Sequence, residues 1–184
     1  ILIFVFTFLL ANNLFGQCPA SNNLSSPYNS NNGQSGIMFD IVASATSAVV
    51  IKCFESNFDP GTRDIEIYYK AGTHVGFEGN AAAWTLIGTA PALASAGNDL
   101  PTYIPIPINI TIPCTETYSF YITATTTGMN YTNGTGVGNV VSTDGNISVL
   151  EGTGKGYPFG ADFTPRVFNG TVYYDLVGSC GCTN

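Results

Sequence analysis

The chain has 184 residues, of which 9% are charged, and its formal net charge is −7 at pH 7. This charged fraction is far below the roughly 25% of an average globular domain, so amide and hydroxyl groups carry most of the surface hydration. An acidic chain repels nucleic-acid phosphates and anionic lipid headgroups. We therefore expect neither nucleic-acid binding nor binding to a membrane surface.

The chain opens with an apolar run over residues 1–10, and its first charged residue is Asp40. An apolar run of this length, closed by polar and small residues, is typical of a secretory signal. Asn12 and Asn13 interrupt it well short of the about 20 apolar residues that a membrane span needs. We predict a cleaved signal at residues 1–16, export from the cell and no membrane span; the alternative is a retained apolar arm.

The next segment, residues 17–36, consists mostly of the turn formers Asn, Ser, Gly and Pro and has little to bury. Such a composition predicts a polar N-terminal arm or linker. A single domain is predicted over residues 37–178, because its length lies in the usual range of roughly 100 to 200 residues. Residues 179–184 form a Cys-containing tail.

Short runs of β-branched and aromatic residues, each closed by Gly, Asn, Asp or Pro, predict strands throughout this domain. Alternation of apolar and polar residues over 64–69 indicates a strand with one buried face. The predicted strands are 37–43, 47–54, 64–70, 83–89, 103–112, 117–126, 138–142, 146–150 and 166–177. About nine strands without a useful helix predict an all-β fold, an antiparallel two-sheet sandwich or jelly roll.

One of these segments is predicted to lie at a sheet edge. From Ile104 to Ile110 four isoleucines alternate with Pro105, Pro107 and Asn109. Proline cannot donate a ladder hydrogen bond, which confines it to edge strands, where it also prevents unwanted strand pairing. We therefore expect one sheet to end at this segment.

Five cysteines follow the predicted signal: Cys18, Cys53, Cys114, Cys180 and Cys182. Cysteines pair in an oxidising exterior, but sequence alone does not determine the connectivity. We favour Cys53 with Cys114, because each lies near a predicted strand and the bridge would stabilise the fold by roughly 4 kcal/mol. Cys18 would then pair with Cys180 or Cys182. The cysteine left over is either a free thiol or a cross-link to a neighbouring chain.

Catalytic motifs are missing from the sequence. The single histidine, His74, is accompanied by no Gly-x-Ser-x-Gly elbow or other nucleophile motif, so we interpret it as a loop histidine. The acidic residues from Glu55 to Glu78 are interpreted as a solvated face rather than a glycosidase pair. We expect the protein not to be an enzyme.

Metal binding has little support in the sequence. A zinc site needs three or four nitrogen or sulfur ligands, which one histidine and disulfide-bonded cysteines cannot supply. Calcium needs only carboxylate and carbonyl oxygens from loops, and 59–61 (Asp-Pro-Gly) or Asn98-Asp99 could contribute them. Calcium is therefore the one metal we retain as a candidate, and no other cofactor is predicted.

Aromatic residues offer a route to carbohydrate binding. Trp84 is a candidate for stacking on a sugar ring, although a single tryptophan in a sandwich is more often part of the core. Successive strand residues point to opposite faces, so Tyr68-Tyr69 and Tyr173-Tyr174 each place one ring on each face of a strand. The candidate stacking residues are therefore Trp84 and these four tyrosines.

Acceptor triplets for N-glycosylation, Asn-x-Ser/Thr, recur in the chain. Several are expected by chance where Asn and Thr are this frequent. Asn130 and Asn133, which lie in a turn-rich stretch, are the two candidate modification sites.

Several motifs between Ile37 and Val177 carry a family resemblance. They are NFDPGT (57–62), IYYKAGT (67–73), GFE (76–78), AWTL (83–86), YSFYI (118–122), NYTNGT (130–135), LEGTGKGYPFG (150–160) and TPRVFNGT (164–171). Through them, about three-quarters of the chain resembles a secreted β-sandwich module of extracellular and cell-surface proteins from Bacteroidetes-type bacteria. The resemblance implies a non-catalytic surface module and assigns no ligand or binding residue.

Two functional hypotheses follow. The first is a non-catalytic structural or adhesive protein of the bacterial surface, which binds copies of itself or other surface proteins. Its N-terminal arm could add a strand to the open sheet edge of a neighbour, and a head-to-tail contact of this kind can build a filament. The alternative is a carbohydrate-binding module of a secreted protein, with glycans as its partners.

Overall fold

A computed structural model describes residues 18–181 of the chain. In this range the chain forms fourteen β-strands, a 3-10 turn at Ala81–Ala83 and no α-helix. The predicted signal at residues 1–16 and Cys182 lie outside the described residues. The strands are β1 (Asn22–Ser25), β2 (Asn32–Gln34), β3 (Gly36–Ala43), β4 (Ser47–Ser56), β5 (Thr62–Ala71), β6 (Thr85–Ala94), β7 (Thr102–Ile104), β8 (Ile110–Ile112), β9 (Thr117–Ala124), β10 (Met129–Asn133), β11 (Val140–Thr143), β12 (Ile147–Lys155), β13 (Asp162–Phe168) and β14 (Gly170–Ser179).

The strands form two sheets that pack face to face. The small sheet has the order β1-β14-β4-β7, with β8 also paired to β4, and the large sheet has the order β2-β10-β13-β12-β3-β9-β5-β6, with β11 paired to β12. Every pair of strands is antiparallel. The structure therefore confirms the predicted all-β antiparallel sandwich.

Four phenylalanines from the two sheets meet at the centre of the core. The rings of Phe39 and Phe168 stack at a centroid distance of 4.1 Å, and Phe54 meets Phe120 edge-on at 5.1 Å. All four side chains are fully buried. Offset and edge-on pairs of this kind add roughly 0.5–1.5 kcal/mol beyond the burial of their area.

The predicted edge segment is confirmed. Ile104, Ile106 and Ile108 are buried, whereas Pro105 and Pro107 are exposed. The two strands of this segment, β7 and β8, pair only with β4 within residues 18–181. The single strand predicted over 103–112 is in fact two short strands, because the prolines cannot donate ladder hydrogen bonds between them.

The predicted C-terminal strand over 166–177 is also divided in two. The chain leaves the large sheet after Phe168 and enters the small sheet at Gly170. A Cβ at Gly170 would collide with the Phe168 ring and the Glu55 carbonyl. Glycine therefore permits the close approach at which the chain changes sheets.

The arm or linker predicted at 17–36 contains two strands. Its strand β1 pairs with β14 and its strand β2 pairs with β10, so its described residues lie against the chain's own sandwich. Leu24 is its one large apolar residue packed on the core. The strands β1 and β2 consist mostly of polar residues that pair through their main chains. They therefore show no apolar periodicity, and the sequence pattern did not predict them. The strand β10 was also missed: Met129 and Tyr131 are its only two core residues, in a segment otherwise made of Asn and Thr.

The favoured pairing of Cys53 with Cys114 is wrong. The structure joins Cys18 to Cys53 and Cys114 to Cys180, each with a Cα–Cα distance of 6.2 Å. The register of β4 with β8 places Cys114 near Ser47, six residues from Cys53 and thus roughly 20 Å away along the strand. Two disulfides indicate an oxidising, extracellular environment. The described residues include no helix that is long and apolar enough to cross a membrane.

Candidate binding cleft and surrounding residues

A cleft of about 370 Å³ opens at one end of the sandwich, between β8 of the small sheet and the strands β5, β6 and β9 of the large sheet. Ligand sites in proteins are commonly concave and have volumes of about 300–1,000 Å³. The residues relevant to binding are Tyr69, Lys70, Thr85, Asn109, Thr111 and Tyr118. This cleft is the candidate functional site.

Two tyrosines form the aromatic wall of the cleft. On β5, Ile65 and Ile67 face the core, and Tyr69 is the next residue in that row, at the end where the core opens. On β9, Phe120 lies in the core, and Tyr118 occupies the same row one position nearer the open end. The Tyr69 and Tyr118 rings lie at a centroid distance of 6.5 Å and an angle of 6°. Since both rings pack against the core, they form a rigid surface.

Polar residues from both sheets also line the cleft. Asn109 has a positive φ of 52°, which places it at the bend just before β8. Its Oδ1 accepts a hydrogen bond from Lys52 Nζ at 2.8 Å, so its amide nitrogen is the group left for a ligand. Thr85 and Thr111 are exposed. Amide and hydroxyl groups beside an aromatic wall suit a ligand that has both hydroxyl groups and an apolar face.

Trp84 does not belong to this site. It is 7% exposed and packs with Met38 and Tyr121 on the outer face of the large sheet. Its Nε1 donates a hydrogen bond to the Phe77 carbonyl at 3.0 Å. The proposed stacking role of Trp84 is therefore wrong, and its interpretation as a packed tryptophan is confirmed.

Tyr68 lies on the same outer face, where Tyr121 and the loop residue Phe159 pack against its ring. Its ring stacks on Tyr121 at 5.7 Å and meets Phe159 edge-on at 5.3 Å. Its hydroxyl donates to Glu66 at 2.7 Å, and burial together with this carboxylate raises the pKa of Tyr68. A ring held in this way is a poor platform for a ligand.

The pair Tyr173-Tyr174 divides between two faces, as the sequence predicts. Tyr174 is fully buried, and its hydroxyl donates to Asp144 at 2.5 Å. Tyr173 is partly exposed and donates to Glu55 at 3.0 Å; burial and this hydrogen bond raise the pKa of Tyr173 to about 12. Tyr173 is therefore accessible on the outer face of the small sheet and is not a lining residue of the cleft.

The two glycosylation candidates differ in accessibility. Asn130 is buried, and its Nδ2 donates to Asp59 Oδ1 at 3.0 Å. A folded chain cannot present this nitrogen to a modifying enzyme, so the prediction for Asn130 is wrong. Asn133 is exposed and retains its candidate status.

The calcium candidates come together only in part. Asn130 Nδ2 lies 3.0 Å from Asp59 Oδ1 and 3.4 Å from Asn98 Oδ1. At Asp99, hydrogen bonds from the Ser30 amide, the Ser30 hydroxyl and Asn57 reach Oδ1 and lower the pKa of the carboxyl group. Among residues 18–181, no three His, Cys, Asp or Glu side chains are grouped as metal ligands.

A buried network around Asp40 and His74 escaped the sequence analysis. Asp40 Oδ1 accepts hydrogen bonds from the His74 amide (3.1 Å), His74 Nδ1 (2.7 Å) and the Ser119 hydroxyl (2.7 Å), and its Oδ2 accepts one from Thr73 at 2.6 Å. Burial alone would raise the pKa of Asp40, but the hydrogen bond and charge of His74, with Thr73 and Ser119, outweigh it and hold that pKa below 3.8.

This network fixes the loop after β5 on the outer face of the large sheet. On the other side of the imidazole, Nε2 lies 3.4 Å from Thr153 Oγ1. The order carboxylate, imidazole, hydroxyl is that of a catalytic triad, but Asp40, His74 and Thr153 are all buried. No substrate atom can reach the hydroxyl in this arrangement, so the network positions the loop.

Comparison with known proteins gave no relative. No protein-family model matches the chain, and no curated protein matches it. The family resemblance described above therefore stays a prediction, and the functional argument rests on the site.

Proposed function

We propose that this chain is a non-catalytic binding domain of an exported protein and that it holds a carbohydrate in the cleft beside Tyr69 and Tyr118. The observation that carries the proposal is the rigid wall of two nearly parallel tyrosine rings inside a polar cleft. A sugar ring has an apolar C–H face and a rim of hydroxyl groups. The tyrosine faces suit the former, and Thr85 and Asn109 suit the latter.

Removal of the aromatic wall should abolish this binding. We expect Tyr69→Ala and Tyr118→Ala to weaken glycan affinity by about tenfold or more, which corresponds to about 1.4 kcal/mol each. The measurement is a glycan array followed by isothermal titration calorimetry on the glycans that bind. Thr85→Arg, at an exposed position of β6 directly opposite Tyr69, should block the cleft without touching the core.

Tyr173→Ala provides the matched control, since it removes a tyrosine from the outer face of the small sheet. We expect its glycan affinity to equal that of the unmodified protein. If Tyr173→Ala loses binding while Thr85→Arg keeps it, the binding surface is the outer face and the cleft proposal fails.

The second candidate is a structural or adhesive protein that associates with copies of itself. Residues 18–36 pair with their own sandwich, so we do not assign assembly to the arm. The edge strand β6 favours the idea instead: residues 85–90, which precede Pro91, carry no charge, and within the described chain β6 pairs only with β5. Edge strands without charged residues readily pair with another chain. We propose antiparallel pairing of β6 from two copies, which gives a closed dimer.

A charge on this edge should prevent the association. Leu86 is 47% exposed on β6, and we expect Leu86→Lys to keep the protein monomeric at concentrations where the unmodified protein dimerises in sedimentation velocity. Val140→Lys, at an exposed apolar residue of β11, should leave the dimer intact. A protein that is monomeric at every concentration would contradict this candidate and would leave the cleft proposal untouched.

A further inference from the structure

The loop between β5 and β6 (residues 72–84) meets the cleft at both of its ends. Ala71, the last residue of β5, and Ala83, near the end of the loop, both line the cleft. Between these two points the loop packs on the outer face of the large sheet, where His74 is fully buried. The attachment of the loop to the outer face therefore determines where its ends stand in the cleft wall.

Ser119 connects the buried Asp40 to the first end of the loop. Its hydroxyl oxygen lies 2.7 Å from Asp40 Oδ1 and 2.6 Å from the Gly72 carbonyl oxygen. The Gly72 amide donates a hydrogen bond to the Thr117 carbonyl at 2.7 Å. Since the wall residue Tyr118 lies between Thr117 and Ser119, these contacts hold the first end of the loop against the strand on either side of that tyrosine.

A chain of hydrogen bonds connects Asp40 to the second end of the loop. Asp40 binds His74 through the main-chain amide and the Nδ1 of that residue. The Phe77 amide donates to the His74 carbonyl at 2.9 Å, and Trp84 Nε1 donates to the Phe77 carbonyl at 3.0 Å. Trp84 directly precedes the lining residue Thr85, so the buried carboxylate is linked to this end of the loop as well.

Lys70 is a second anchor of the same loop. The residue borders the cleft, but its ammonium group lies on the outer face, because Lys70 alternates with the core-facing Tyr69. There Nζ donates to the carbonyls of Ala71 at 2.9 Å and Thr73 at 2.6 Å and lies 4.3 Å from the centroid of the Phe77 ring. One carboxylate and one cation, both directed away from the cleft, thus hold this loop.

We propose that Asp40 and the groups bonded to it are positioning residues for the cleft, because they hold the β5–β6 loop with both of its ends in the geometry that accepts a glycan. This inference rests on the proposed function and adds how the site is preorganised. A loop that is already ordered loses little conformational entropy when a ligand binds. The rings of Tyr69 and Tyr118 pack against the core, so a loosened loop should weaken binding without abolishing it.

The test weakens the Asp40 network without touching a residue that lines the cleft. Thr73→Val keeps the shape of the side chain and deletes the hydroxyl that donates to Asp40 Oδ2 at 2.6 Å. Asp40→Asn deletes the charge of the acceptor. The probes are the neutral oligosaccharides cellohexaose, xylohexaose, mannohexaose and chitohexaose, titrated calorimetrically. We expect affinity to fall about threefold in Thr73→Val and about tenfold in Asp40→Asn, in line with the cost of ordering a few side chains on binding.

A second buried carboxylate supplies matched controls. Glu151 is 7% exposed and accepts hydrogen bonds from the Thr135 amide at 2.6 Å, the Thr135 hydroxyl at 3.0 Å and the Gly136 amide at 2.7 Å. It anchors a loop as Asp40 does, but none of these residues lines the cleft. Thr135→Val and Glu151→Gln should therefore lower the stability in urea unfolding and keep the glycan affinity of the unmodified protein.

Trp84 reports on the loop without any ligand. It is the one tryptophan of the chain and is buried, so quenching of its fluorescence by acrylamide measures how firmly the loop is held. We expect quenching to increase in Thr73→Val and Asp40→Asn and to stay unchanged in the two control variants.

The outcomes separate this inference from the proposed function. If the network variants keep the full glycan affinity, whether or not quenching increases, the positioning inference is overturned and carbohydrate binding stands. If the control variants lose as much affinity as the network variants, affinity follows overall stability and the inference is again overturned. If none of the four oligosaccharides and no glycan on the array binds the unmodified protein, the proposed function fails and this inference fails with it. Near-ultraviolet circular dichroism of each variant establishes that it is folded.

Discussion

Loss of the disulfide between Cys18 and Cys53 is expected to lower the free energy of unfolding by about 4 kcal/mol. This bridge closes a loop of 35 residues in sequence, and the chain-entropy relation gives roughly that value for a loop of this length. The bridge between Cys114 and Cys180 closes a loop of 66 residues and should contribute a similar amount. Domains are stable by only about 5–15 kcal/mol, so either loss is a large fraction of the total.

The effect of the first bridge should be concentrated in the N-terminal segment. Strand β1 has four residues, mostly polar, and outside its pairing with β14 it is held by the bridge at Cys18. In the variant Cys18→Ala/Cys53→Ala we therefore expect the amides of residues 22–25 to show the largest increase in exchange rate relative to the unmodified protein. Hydrogen exchange detects this, and urea unfolding gives the change in stability.

Reduction supplies the control for both bridges. Dithiothreitol should destabilise the unmodified protein and should have no effect on a variant in which all four of these cysteines are alanine. Equal stability of the unmodified protein with and without reductant would contradict the expectation.

The fold class could be predicted because the core strands alternate clearly. Ile65 and Ile67 on β5, and the isoleucines that alternate with Pro105 and Pro107, show directly in the sequence which side is buried. The polar strands β1 and β2 could not be predicted, since they are held by main-chain pairing and bury few side chains of their own. The disulfides depend on strand order, which local patterns do not contain.

The candidate site was predictable only in part. Tyr69 was among the aromatic candidates, but its partner Tyr118 lies 49 positions later in the sequence. The two rings meet because β5 pairs with β9, with Ala71 opposite Tyr118. Trp84 was misassigned as a candidate because the sequence cannot show that a loop buries it on the outer face of a sheet. Long-range strand pairing therefore determines which aromatic residues are available to a ligand.

The second large effect is expected at the buried carboxylate of Asp40. Asp40→Ala leaves the His74 amide, His74 Nδ1 and the hydroxyls of Thr73 and Ser119 without their acceptor. Removal of one partner from a buried charged network costs about 3–5 kcal/mol. Asp40→Asn keeps an amide oxygen and should cost less, about 1–3 kcal/mol. Glu116→Ala, at an exposed carboxylate, should change the stability little.

The contribution of Asp40 should also depend on pH. Folding lowers the pKa of this carboxyl group, so the native state favours its ionised form. The resulting stabilisation is complete above the unfolded-state pKa of about 3.9 and is lost as the pH falls through the folded-state value. We expect the stability difference between the unmodified protein and Asp40→Asn to narrow below about pH 4. Urea unfolding across this range measures it, and a difference that widens at low pH would show that the ionised carboxylate does not stabilise the loop.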